Sequence, residues 1–425
     1  MDSQNEANWS FSLKPGEPDA GPGITHDEPQ AFRSTATASS QLGGPKVGFA
    51  TTTVEEDEDA PAARRSDPND FYTILDLMRE AVERGASDVH LTAGSPPALR
   101  VDGEIFPLAL EALTGKMLKE LIYSMMSETQ IRSFELEREI DFSYSIKNLG
   151  RFRVNVFQQR GSVASVIRSV PTNKLSIEQL GLPLVTKDLV LRPRGLILVT
   201  GPTGSGKSTS LAAMIDFINE NRKGHIITIE DPIEFLHDHK SCLVNQREVG
   251  ADTLGFAQAL KRVLRQDPDV ILVGELRDTE SMGTAITAAE TGHLVFATLH
   301  TNDAAQTIDR IIDVFPVHQQ AQIRLQLANS LQAVFCQTLV RRIGGGRCLA
   351  YELLIANNAT RNLIREGKIH QIPTVIETNT AMGMRTLETS LVDLVKKQVV
   401  SKEDAREHAS NPAEFDKHFG SAAAA

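Results

Sequence analysis

Cysteine is scarce in this chain: Cys242, Cys336 and Cys348 are the only three in 425 residues. Their wide spacing argues against a disulfide framework and against the paired cysteines of a zinc ribbon, and it points to a reducing compartment. No apolar run approaches the roughly 20 residues needed to cross a bilayer. The polar, acidic start does not read as a secretory signal, so a soluble cytoplasmic protein is expected. No strongly basic segment is present either. Residues 1–70 hold 13 Asp and Glu against 5 Lys and Arg, a net of −8, and the whole chain carries −11. The remainder is close to neutral, which argues against nucleic acid as the main partner. No internal repeat is visible.

A chain of this length implies two or three domains. Residues 1–69 are rich in proline, glycine and serine and include the acidic run Glu55–Asp59. Such a segment buries too little apolar surface to offset its ordering entropy, and it reads as a disordered extension. Trp9 and Phe11 within it are either a docking motif or a stray apolar pair. From 70 onwards the pattern changes. Phe71, Ile74, Leu75, Met78 and Ala81 recur at helical spacing. Short alternating segments follow over 88–91, 98–101, 104–106, 139–145, 151–158 and 162–169, with Asn148-Leu-Gly150 as a hairpin turn. These predict a small α+β domain over 70–182 with a mostly antiparallel sheet. Pro183 and Pro193 mark the junction. Over 183–345, apolar strands at 196–200, 225–229, 270–273 and 294–298 alternate with helical stretches, so a parallel sheet covered by helices is expected. Gly344-Gly-Gly346 breaks that pattern. A helical region over 346–412 and a flexible tail over 413–425 complete the reading.

Gly195-Leu-Ile-Leu-Val-Thr-Gly-Pro-Thr-Gly-Ser-Gly-Lys-Ser-Thr209 is the most informative stretch. An apolar strand stops at a glycine loop and a helix follows, matching G-x-x-x-x-G-K-S/T at Gly201, Gly206, Lys207 and Ser208. Backbone N–H groups of Gly201, Pro202's successor Thr203, Gly204, Ser205 and Gly206 can close around phosphate oxygens, with the positive helix end beneath them. Lys207 would reach the β- and γ-phosphates and the Ser208 hydroxyl would hold Mg²⁺, with Thr209 next in the loop's helix. The reading is ATP or another nucleoside triphosphate, bound with Mg²⁺.

In such folds functional groups collect at the carboxyl ends of strands. Ile229 is followed by Glu230, Asp231 and Glu234; Val270–Val273 runs through Gly274 to Glu275, Arg277 and Asp278; Leu294–Thr298 runs to His300. Hydrolysis requires charge neutralisation and a water held in line with the leaving oxygen. Glu275 occupies the Walker B position, preceded by Gly274 rather than the common aspartate, so it is expected to reach a metal through water while Ser208 ligates directly. Glu234 is the candidate to orient or deprotonate the attacking water. His300 is a candidate γ-phosphate sensor. His293 has either a structural or a functional hydrogen bond, and His237, His239 and His318 read as solvated.

With the P-loop, Ile229-Glu-Asp-Pro-Ile-Glu-Phe235, Gly274-Glu-Leu-Arg-Asp278 and Thr291-Gly-His…Thr298-Leu-His-Thr301 in order, the chain resembles the secretion and type IV pilus motor ATPases, in particular the PilT-like retraction group. The resemblance covers 70–412. It implies a PAS-like α+β N-terminal domain, a RecA-like parallel-sheet P-loop domain and C-terminal helices, assembled as a homohexamer. It also implies an Asp box at Glu230, Asp231 and Glu234, Walker B at Glu275, and a His box at His293 and His300. A neighbour's N-terminal domain would donate arginines to the triphosphate, from among Arg151, Arg153, Arg160 and Arg168. The implied function is an ATPase motor for pilus retraction, acting on an inner-membrane platform protein at the inner face of the cytoplasmic membrane. A second retraction ATPase is a further partner in such systems. An accessory PilU-type motor, an assembly or type II secretion ATPase, and a non-catalytic nucleotide-binding regulator are the alternatives. The four-cysteine zinc motif of extension motors is absent. The retraction group's Ala-Ile-Arg-Asn-Leu helix reads Ala359-Thr-Arg-Asn-Leu363 here, with Thr360 in place of isoleucine.

Overall fold

The computed structural model describes residues 52–54, 72–101, 103–170 and 174–419. The Trp9 and Phe11 pair and the acidic run 55–59 lie outside the described residues. Two seven-stranded sheets organise the rest.

The N-terminal sheet comprises β1 (Thr52–Val54), β2 (Asp88–Leu91), β3 (Ala98–Val101), β4 (Glu104–Pro107), β5 (Glu139–Ile146), β6 (Gly150–Gln159) and β7 (Ser162–Val170). Their spatial order is β1-β5-β6-β7-β2-β3-β4, and every pairing is antiparallel except β1 with β5. Thr52–Val54 is thus a strand inside the segment expected to be disordered. Along β6, Phe152, Val154 and Val156 are buried and the residues between them turn the other way, as the period of a strand demands. The helix Ile74–Glu83 covers the buried face through Ile74, Leu77, Met78 and Ala81. Leu77 and Met78 are completely buried, worth about 1.5–3 kcal/mol each. That helix starts where it does because Thr73 and Asp76 satisfy each other's backbone N–H groups in a capping box. The expected turn at 148–150 is present, with Asn148 at φ +61°.

The second sheet comprises β8 (Gly195–Thr200), β9 (Gly224–Glu230), β10 (Cys242–Glu248), β11 (Val270–Val273), β12 (Leu294–Leu299), β13 (Leu331–Arg341) and β14 (Arg347–Ile355). Its order is β10-β9-β11-β12-β8-β13-β14, parallel throughout except for β14 against β13. Every residue of β8, β11 and β12 is buried, because helices cover both faces of the sheet. Since β9, β11, β12 and β8 are consecutive neighbours, the four segments leaving their carboxyl ends share one rim.

Three expected boundaries shift. Ile177 and Leu182 belong to the core of the second sheet, so the junction lies nearer Val170 than 182. The hairpin of β13 and β14 crosses the boundary drawn at 345, since a strand after the three glycines returns beside β13. Phe415 is completely buried in a small satellite core with Val340, Leu391 and Ala405, so the fold continues past 413.

Candidate nucleotide-binding and hydrolysis site

The loop between β8 and the helix Lys207–Asn221 is shaped by its glycines. Gly201 has φ +138°, and a Cβ there would stand 2.3 Å from the Gln337 carbonyl oxygen and 2.7 Å from Ser205 Oγ. Conformation and space both demand glycine at that position. Gly206 occupies the helix N-cap at φ +89°, which turns the first helical N–H groups toward the loop. Lys207 Nζ donates to the carbonyl oxygens of Gly201 at 2.8 Å and Pro202 at 3.0 Å. Burial pulls its pKa down, and the carboxylates of Glu275 and Glu234 pull it back up. Ser205 Oγ is buried without a hydrogen-bond partner among the described residues. A cradle of this shape, with an ammonium resting on its own loop and a spare hydroxyl within, fits a phosphate chain.

A cleft of about 460 Å³ opens over the loop, within the range of small-ligand sites. Thr203, Gly204, Gly206, Lys207, Ser208 and Thr209 form one wall; the exits of β9, β11 and β12 form the other. There Glu275 accepts a hydrogen bond from Arg277 at 2.8 Å and lies 3.2 Å from His300 Nε2. Arg277 foremost, and then His300, hold its pKa below the usual carboxylate range against the opposing effect of burial. Glu275 is therefore a fixed anion. Glu234 differs: it is exposed, lines the cleft, and its carboxylate has no partner among the described residues. Glu230 is half-buried and accepts from Thr228 Oγ1 at 2.6 Å, Gln246 Nε2 at 3.2 Å and the Glu234 N–H at 3.4 Å. Burial raises its pKa. Its visible work is to hold the segment that carries Glu234. Asp231 lines the cleft beside it.

The two histidines of the expected pair stand at opposite ends of β12. His300 lines the cleft, whereas His293 sits at the far end with Nδ1 3.0 Å from the Ala288 carbonyl, a structural contact. His237, expected to be solvated, instead lines the cleft; burial foremost, then Lys174, pushes its pKa down to about 4, so it is neutral near pH 7.

The four arginines divide. Arg151 pairs with Glu248 of its own chain at 2.9 Å, both side chains being nearly buried at 11% and 7% exposure. Arg168 pairs with Asp88 at 2.8 Å. Arg153 and Arg160 are exposed and have no hydrogen bond or ion pair among the described residues. A fifth cation was not anticipated. Arg347, at the start of β14, lines the cleft beside Leu339, is exposed, and has no partner among the described residues. The three glycines before it are a hairpin signal that announces the return of a strand.

Residues 71–411 match the family model of the type II/IV secretion system proteins. The chain belongs to this family. It is 52% identical over 342 residues to the type IV pilus retraction ATPase PilT of Pseudomonas aeruginosa, covering 80% of this chain and 99% of that one. Identity to the type IV pilus ATPase PilU of the same organism is 44% over 336 residues, covering 79% and 88%. A crystal structure of the pilus retraction motor PilT with bound ADP superimposes with a TM-score of 0.78 at 52% identity, covering 82% of this chain and all of the other. The fold is accordingly the PilT-type one, an antiparallel N-terminal sheet followed by a parallel P-loop sheet and C-terminal helices, and the chain is a P-loop ATPase.

Proposed function

We propose that this protein is a motor that hydrolyses ATP with Mg²⁺ to power type IV pilus retraction, working as a homohexamer. The observation that carries the reading is a complete phosphate loop facing a free carboxylate, Glu234, and a fixed one, Glu275, across a single cleft. The higher identity to PilT than to PilU favours the primary retraction motor over an accessory one.

The residues suit their parts. Lys207 exchanges the carbonyls of Gly201 and Pro202 for phosphate oxygens, so its charge is already desolvated and aimed when ATP arrives. Glu234 orients the attacking water and receives its proton, its oxygens being uncommitted. Ser208 directly, and Glu275 through water, would hold Mg²⁺, which supplies charge neutralisation on the β- and γ-oxygens. Among the described residues no group of three or more His, Cys, Asp or Glu side chains converges, so an ion here draws its other ligands from phosphate and water, a habit of Mg²⁺. His300, touching Glu275, reports the γ-phosphate to the helix that follows β12. Of the four candidate arginines of the N-terminal domain, Arg153 and Arg160 are the ones without a partner among the described residues and thus able to reach a neighbouring subunit. Closure around ATP would swivel an N-terminal domain against the next subunit's ATPase domain, and product release would reverse it.

No helix among the described residues is long and apolar enough to cross a membrane. The motor reaches the inner face of the cytoplasmic membrane through a platform protein, alongside a second retraction ATPase, and nucleic acid is not a partner. The test pairs two measurements. Purified protein should form hexamers and release phosphate only with Mg²⁺, and Glu275→Ala should bind ATP yet hardly hydrolyse it. Deletion of the gene should leave piliated, non-motile cells; bald cells would identify an assembly motor, and a monomer without phosphate release would refute the motor reading.

A further inference from the structure

Glu248 ends β10, the outermost strand of the ATPase sheet, and is only 5% exposed. It does not line the nucleotide cleft, yet three donors converge on its carboxylate. The Ser143 hydroxyl reaches Oε1 at 2.6 Å, the Arg151 guanidinium reaches Oε2 at 2.9 Å, and the backbone N–H of Ile233 reaches the same Oε2 at 3.0 Å. Ser143 and Arg151 come from β5 and β6, in the N-terminal domain. Ile233 comes from the ATPase domain, in the segment 231–237 that leaves β9 and carries Glu234 as its next residue.

That segment has no helix or strand of its own, so side chains from β10 fix its path. Gln246, two residues before Glu248, donates to the Phe235 carbonyl at 2.8 Å and accepts from the His237 N–H at 2.8 Å. Gln246 therefore anchors the far side of Glu234 and Glu248 anchors the near side. The two anchors differ in one respect. Gln246 bonds only within the ATPase domain, whereas a single oxygen of Glu248 is shared between that domain's loop and the other domain's arginine.

We infer that Glu248 is a positioning residue through which the N-terminal domain sets the loop carrying Glu234 in the same subunit, with Arg151 acting through Glu248 in cis rather than on a neighbour's phosphates. While the domain is seated, the guanidinium neutralises a buried carboxylate and leaves Oε2 aimed at Ile233. When the domain swivels away, the carboxylate loses two of its three donors and must follow Arg151 or gather water. Either change slackens the hold on Ile233, and Glu234 leaves the line of attack. Hydrolysis is thereby confined to one domain orientation, which gives a motor its order of events. The inference rests on reading Glu234 as the water-orienting acid.

The experiment measures kcat, KM for ATP and thermal midpoint for the full chain carrying Glu248→Gln, Arg151→Gln, both, and Glu234→Gln with and without Glu248→Gln. Glutamine keeps an acceptor for Ile233 but not the charge that holds Arg151. Each of Glu248→Gln and Arg151→Gln should lower kcat about tenfold with KM changed less than about threefold, and the pair should be no worse than either alone. Adding Glu248→Gln to Glu234→Gln should cost nothing further. Multiplying effects in the first pair, or a rise in KM with Arg151→Gln, would assign Arg151 to phosphate and overturn the inference. Full turnover in Glu234→Gln alone would instead remove the reading of Glu234. Should Glu248→Gln fail to fold, Ser143→Ala decides: it removes one donor, and an unchanged kcat overturns the proposal.

Discussion

Arg361, at the centre of the Ala359–Leu363 motif, is expected to stabilise the ATPase domain rather than wait for a partner. The helix Val317–Ser330 ends with carbonyls that have no intrahelical donor. Arg361 Nη1 donates to two of these, Asn329 O at 2.9 Å and Ala328 O, and Nη2 donates to Leu331 O at 3.1 Å. In Arg361→Ala all three lose a charged donor. Water replaces it at the most accessible carbonyl, so two bonds are lost at the lower end of about 1.5–3 kcal/mol each, or about 3 kcal/mol. For a domain of this size that corresponds to a fall of about 6–12 °C in Tm. Scanning calorimetry on Arg361→Ala measures it directly, with Arg365→Ala as a control, since the latter side chain is exposed and its contacts are with Asn329 Oδ1 and Asn362. A drop of less than about 2 °C for Arg361→Ala would refute the capping role. Thr360 reinforces the structural reading: it is completely buried, and its hydroxyl bonds the Asn357 side chain that caps the same helix.

Three further outcomes are expected. Lys207→Ala should abolish phosphate release in a steady-state assay, and undiminished activity would remove the site. Arg347→Ala should raise KM for ATP about three- to tenfold while kcat stays within about twofold, the mark of uniform binding; an unchanged KM would exclude the arginine from the nucleotide. Glu352 is buried with its pKa raised by that burial to about 7, from an ordinary value of 4.5. Its contribution to stability is complete below 4.5 and is lost as pH rises through 7. Glu352→Gln should therefore gain on the parent protein between pH 5 and pH 8, by up to about 3 kcal/mol, in urea midpoints; parallel pH profiles would contradict the assignment.

Much of the architecture was legible because its signals are local. The strand, glycine loop and helix around Gly201–Lys207 are contiguous, and the alternation of 151–158 shows which of its residues face a core. What escaped depends on pairings between distant segments. The partner of Arg151 lies on β10, and only the assembled fold brings the two sheets together at Glu248. Cys242–Glu248 mixes polar and apolar residues because it is an edge strand, so it lacks the continuous apolar run of its neighbours. Arg347 was hidden because three glycines resemble the end of a domain as readily as a turn within one. His300 was legible as a site residue because it follows the carboxyl end of an apolar strand, whereas the role of His293 stayed open until the fold placed it at the other end of β12.

The hairpin of β13 and β14 has a mechanical meaning. β13 is hydrogen-bonded to β8, which delivers the phosphate loop, and β14 delivers Arg347 at one end and the C-terminal helices, starting at Asn358–Glu366, at the other. Tension applied to those helices is thus borne by a strand that also touches the nucleotide pocket. Such a linkage ties any displacement of those helices to the wall of the nucleotide cleft through one continuous strand.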